Sequence, residues 1–182
     1  LTLTTVNFGV LLVTDDQGDV DAANDISYSA VTATIGSATF AGIPGLTAIA
    51  TNTSFRMNQT TAVDTNAVLD FSGSHGFTFA GTTLTLEMAE TEGGLIEAQS
   101  DLDLDVFGLV TLNGTFAFKK ANGTFSLAAD ETDNFTADYL AISGTVNSAF
   151  IGVDDLGLTL TTVNFGVLLV TDDQGDVDAA ND

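Results

Sequence analysis

From Leu102 to Lys120, in the run LDLDVFGLVTLNGTFAFKK, apolar and polar positions alternate. Leu102, Leu104, Val106, Val110, Leu112, Phe116 and Phe118 fall on one side, and Asp103, Asp105, Thr111, Asn113, Thr115 and Lys119 on the other. A period of two predicts a half-buried strand, one side on a core and one side wet. Gly108 and Gly114 interrupt the apolar side, where a bend, a bulge or close packing is expected. Similar texture predicts strands at Tyr28–Ile43, Leu46–Met57, Ala67–Ser72, Phe77–Met88, Leu95–Ser100, Thr124–Ala128, Phe135–Val153 and Leu158–Val170. Pro44-Gly45, Ser74-His75-Gly76 and Asp154-Asp155 mark turns between them. Glu92-Gly93-Gly94 and Asn122-Gly123 read as tight hairpins. No segment holds a 3.6-residue period over a helix length, and Thr, Val, Phe and Ile abound, so the expected class is all-β.

The strand pattern repeats. The stretch LTLTTVNFGVLLVTDDQGDVDAAND runs from Leu1 to Asp25 and again, without one substitution, from Leu158 to Asp182. That identity predicts a tandem repeat with a period of 157 residues: one full unit, 1–157, and the start of the next, 158–182. The ends then look like cuts through a longer polymer. A weaker repeat lies inside: Tyr28–Asn58 aligns with Tyr139–Val170, suggesting one hairpin used twice per period. The second hairpin would straddle the boundary at 157/158. The strand near Leu1 would then find its Tyr139-type partner in the preceding copy. The expected architecture is an elongated antiparallel β-sheet (a sandwich, tube or solenoid) continuing from copy to copy.

Charge narrows the function. The chain has 25 acidic and 3 basic residues, net −22. The closing copy repeats five Asp, so one period holds 20 acids against Arg56, Lys119 and Lys120. So few bases exclude nucleic acid as a partner, because phosphate binding needs clustered Lys and Arg. There is no Cys, hence no disulfide or thiolate metal site. No run of eighteen apolar residues predicts a transmembrane helix.

The most acidic loop, Thr14–Asp25, offers Asp15, Asp16, Asp19, Asp21, Asn24 and Asp25 around Gly18, and its copy offers Asp172, Asp173, Asp176 and Asp178. Calcium takes six to eight oxygens, and such a loop can supply several, although the spacing is not that of an EF-hand. The alternative is a solvated turn whose acids keep the chain soluble. Asp101, Asp103 and Asp105 line one strand face and suggest either a cation ladder or a wet face. Asn52, Asn58, Asn113, Asn122 and Asn134 each begin an Asn-x-Ser/Thr sequon and are candidate glycosylation sites. His75 has no second His or Cys in the sequence, and no nucleophile, phosphate-loop or dinucleotide motif occurs, so no enzyme is expected.

The segments VFGLVTLNGTFAFKK (Val106–Lys120) and LGLTLTTVNFGVLLV (Leu156–Val170) resemble runs in very large bacterial tandem-repeat exoproteins, of the LEPR-XLL type and among the giant surface proteins of green sulfur bacteria. That resemblance implies a scaffolding or adhesive role outside the cell and carries over no catalytic residue. With the cysteine-free, acidic composition, it leads to an expectation: a structural repeat of an extracellular or cell-surface filament, bacterial or archaeal, whose partners are adjacent copies. A calcium-dependent adhesin module and a β-groove or tube holding lipid are the alternatives.

Overall fold

The computed structural model describes residues 1–18, 22–62, 67–73, 75–79, 81–126 and 134–171. The protein is all-β. Seven long strands form one antiparallel sheet: β1 (Thr2–Asp15), β2 (Ile26–Phe40), β3 (Leu46–Thr60), β6 (Leu95–Val106), β7 (Val110–Ser126), β8 (Asn134–Val153) and β9 (Leu156–Thr171). They lie side by side in that order, and the sheet is open, with β1 at one edge and β9 at the other. Between β3 and β6 the chain leaves the sheet to form a short ribbon, β4 (His75–Phe79) with β5 (Thr82–Leu86), and a 3-10 turn at Glu90–Glu92.

Several expected elements differ in detail. Leu102–Lys120 is not one strand but a hairpin. Phe107 (φ 57°) and Gly108 (φ 69°) make a tight turn, closed by the Leu109 N–H donating to the Val106 carbonyl at 2.9 Å. The face assignment survives because Val106 opposes Val110, Leu104 opposes Leu112 and Leu102 opposes Gly114, and opposed residues share a face. Asn122-Gly123 is no hairpin: both residues lie inside β7, opposite Asp138 and Ala137. Glu92-Gly93-Gly94 ends the 3-10 turn and leads into β6, which pairs with β3 and β7. Residues 67–71 are not a strand, and Phe77–Met88 divides into parts of β4 and β5. The turns at Pro44-Gly45 and Asp154-Asp155 fall where expected, between β2 and β3 and between β8 and β9.

One irregularity recurs on both flanks of the sheet, on β1–β3 and on β8–β9, and is absent from β6 and β7 between them. Thr5 (φ 52°) falls between the pairs Thr4–Ser37 and Val6–Ile35, and Asn52 (φ 52°) between Ser37–Thr51 and Ile35–Thr53. Against β6, β3 carries one extra residue between Thr51 and Ser54; against β7, β8 carries one at Asn147, beside Gly114. Thr162 (φ 54°) continues the line into β9. An extra residue shifts the alternation by one. Leu3 and Phe8 therefore share a face although they lie five positions apart, an odd offset.

The register defines two faces. Phe8, Ala33, Phe55, Ala98, Phe118, Ile142 and Val167 form one row across the open face. Gly9, Leu11, Ala30, Asn58, Leu95, Ala121 and Tyr139 lie on the opposite face, over which the ribbon folds. Leu84 occupies the space above Gly9. Leu84, Leu86, Phe71 and Met88 pack with Ala30, Leu95 and Ala121 into the core, and Leu11, Leu69 and Tyr139 close its rim. Burying a side chain of the Leu or Phe class contributes about 1.5–3 kcal/mol, so this local cluster fixes the ribbon to one end of the sheet. The Asn58 amide, fully buried, donates to the Leu69 carbonyl at 2.7 Å and ties down the segment entering the ribbon.

Candidate functional site

The acidic loop is described in part. Asp15 closes β1 and its Oδ1 accepts the Gln17 N–H at 3.0 Å; Asp16 Oδ1 accepts the Gly18 N–H at 3.0 Å. Both carboxylates thus cap their own turn. Asn24 and Asp25 lead into β2. Asp19, Asp21, Asp172, Asp173, Asp176 and Asp178 lie outside the described residues. Among the described residues, no three acidic or histidine side chains gather as a metal site.

Asp101, Asp103 and Asp105 do line one face, the ribbon face. Two of them are engaged. Asp101 accepts the Thr115 hydroxyl on Oδ1 and the Asn52 amide on Oδ2 at 2.8 Å, and these hydrogen bonds, Thr115 first, hold its carboxyl below the ordinary aspartate range. Asp105 Oδ1 accepts the Gly108 N–H at 2.7 Å and so supports the turn at the strand's end.

A cluster that the sequence did not reveal sits beside them. Arg56 opposes Glu97, and Glu97 opposes Lys119, on three adjacent strands. Arg56 Nη2 lies 2.7 Å from Glu97; Lys119 Nζ lies 2.6 Å from Glu92 and 3.9 Å from Glu97. Arg56 Nη1 also donates to the Glu87 carbonyl at 2.7 Å. Burial works against the Glu92 charge, but the Lys119 hydrogen bond and charge, with Arg56, outweigh it and hold the carboxyl low. Burial likewise opposes the Lys119 charge, and Glu92 overrides it to raise the ammonium's pKa. Two of the chain's three cations thus clamp the 3-10 turn and the ribbon base to the sheet. This is a structural clamp; no nucleophile stands in it. Only strand register could have revealed it.

The sequons separate by burial. Asn58 is excluded as a glycan site in this fold: its amide is buried against Leu69, with no room for a sugar. Asn52 and Asn113 are exposed, Asn52 bonded to Asp101 and Asn113 accepting from Asn147 at 3.0 Å. Asn122 is half-buried and donates to Asp138 at 3.0 Å, and Asn134 begins β8.

The two sheet edges are a further pair of surfaces. β1 and β9 are the same sequence, displaced by 157 residues. β1 pairs through one edge with β2, and β9 pairs through the opposite edge with β8. Both run in the same direction, six antiparallel steps apart. Val6, Phe8, Val10 and Leu12 of β1 and their copies Val163, Phe165, Val167 and Leu169 of β9 lie on the same open face. The left-handed threonine recurs in both, at Thr5 and Thr162. No protein-family model, curated protein or solved structure matches the chain.

Proposed function

We propose that this chain is a structural repeat of an extracellular or cell-surface filament, in which one sheet runs on from copy to copy. One observation carries the reading: the duplicated strand sits at both edges of the sheet, in the same direction, with the same face outward and with complementary edges paired. Placing the next copy's β1 where β9 stands would give that strand a partner on each side, β8 behind and β2 ahead. The extra-residue line supports the same join. Thr5, Gly36 and Asn52 carry it across β1 to β3, and Asn147 and Thr162 across β8 and β9; with β9 standing as the next copy's β1, four consecutive strands would share it. Repeats of this kind gain stability from their neighbours. The role is mechanical and adhesive rather than catalytic, and the acids keep the polymer soluble.

The experiment is a shortened chain, residues 1–157. It keeps β1 through β8 and leaves the β8 edge without its partner. The expected result is end-to-end assembly, β1 of one molecule pairing with β8 of the next, with an axial repeat of about 29 Å from six strand spacings of about 4.8 Å. Added peptide of sequence 158–171 should block growth. A shortened chain that stays monomeric and melts cooperatively would overturn the reading.

A further inference from the structure

The charge of this protein is distributed unequally over its sheet. The seven long strands carry nine charged side chains. Seven of these, the carboxylates at 15, 97, 101, 103 and 105 with Arg56 and Lys119, lie on the ribbon face; only Lys120 and Asp138 lie on the open face. A chain of net charge −22 thus keeps a whole sheet face nearly neutral. That face is also apolar and uncovered: Phe8 is 76% exposed, Ile142 40% and Phe118 37%.

We propose that the open face packs against the open face of a second copy of this chain, forming a two-layered sandwich. This goes beyond the edge-to-edge reading and does not depend on it. Three arguments select a second copy. The first is area: seven strands of this length present on the order of 1,500 Å² per face, against about 800 Å² per partner in a stable interface. The second is charge. Two such faces can meet without burying like charges, because the acids point away from the contact, whereas a partner chosen by charge would have to engage the ribbon face. The third is relief. Phe8, Phe55 and Phe118 stand with Ala33 and Ala98 between them, leaving hollows one strand wide into which the same row of a facing sheet can insert. Sheets so packed lie about 10 Å apart with strands roughly 30° askew.

The test uses the full 182-residue chain. Sedimentation should show a monomer–dimer equilibrium that shifts toward dimer as salt is raised, since screening weakens repulsion between two acidic molecules. Phe118→Lys with Ile142→Lys should abolish the dimer while the far-ultraviolet circular dichroism stays that of β-sheet. Gln99→Lys with Ser143→Lys, on the ribbon face, should leave it intact. The chain has no cysteine, so Ile142→Cys, which leaves the face apolar, gives a second readout. A bifunctional thiol reagent should link two Ile142→Cys molecules, whereas Ser143→Cys, its neighbour on the other face, should remain unlinked. A protein that stays monomeric at all salt concentrations, a dimer that survives both lysines, or a monomer that carries stoichiometric lipid would overturn the proposal. Edge pairing is read separately: residues 1–157 bearing both open-face lysines should still assemble end to end, so either association can fail alone.

Discussion

Gly9 and Gly166 hold the same position in the two identical segments but stand in two settings, and a single methyl group distinguishes them. On β1, a Cβ at Gly9 would overlap Leu84 Cδ1 and lie 2.8 Å from its Cγ and 3.0 Å from its Cδ2. On β9, a Cβ at Gly166 would meet nothing within 4 Å. Leu84 is buried among Phe71, Leu86 and Met88 and has little room to retreat. Forcing an extra methyl into such packing costs about 1–3 kcal/mol. Neither glycine has a positive φ. Alanine therefore adopts either backbone, and the stiffer unfolded chain offsets about 0.4–1 kcal/mol in each variant. The net expectation is Gly9→Ala destabilised by roughly 1–2 kcal/mol and Gly166→Ala stabilised by about 0.5–1 kcal/mol. In a domain of this size 1 kcal/mol moves Tm by about 2–4 °C, so the two melts should separate by roughly 5–10 °C. Thermal unfolding followed by circular dichroism reads this directly. In a Leu84→Ala background the obstacle is gone, and Gly9→Ala should cease to destabilise. Equal melting of the two single variants would refute the placement of the ribbon over β1.

Two further outcomes follow from the packing and the clamp. Gly114→Ala would drive a Cβ into the Thr145 carbonyl oxygen and to 3.0 Å from Val146 Cα, both backbone atoms of β8, so it should destabilise by about 1–3 kcal/mol in urea melts. The Glu92–Lys119 pair should contribute about 1 kcal/mol or less, being partly solvated. Because the Glu92 pKa is lowered from 4.5, its share is present above that pH and lost as pH falls through the folded value; because the Lys119 pKa is raised from 10.5, its share is present below that pH and lost as pH rises through the folded value. Lys119→Met should return the Glu92 carboxyl toward its ordinary titration, measured by NMR, and an unmoved Glu92 would contradict the ion pair.

The strands were legible in the sequence where alternation and steric preference agree. Leu102, Leu104, Leu112 and Phe118 were assigned to one face correctly even though the turn between them went unseen, because a turn that sets Val106 opposite Val110 preserves the two-residue phase. Gly108 (φ 69°) signals a bend there but not a hairpin, because the position before it, also at positive φ, holds the bulky Phe107, where glycine or asparagine is the usual signal. Asn122-Gly123 misled in the opposite way. It has hairpin chemistry, but the length of β8 extends the ladder past it, and Asn122 uses its amide to bond Asp138 instead. The duplicated strand was visible at once, and so was the hairpin that spans its boundary. The Arg56–Glu97–Lys119 cluster was not, because its members are far apart in sequence and meet only through cross-strand register.

The number of strand steps between the two copies is six, an even number. Had it been odd, a strand and its duplicate would point oppositely, and simple translation could not superimpose them. In the proposed filament an even count would make the ladder vectorial: its leading and trailing ends would be chemically different, one offering a β8 edge and the other a β1 edge. Growth of that filament would add units in a single orientation, and tension along its axis would pull across the hydrogen bonds between strands rather than along the strands themselves.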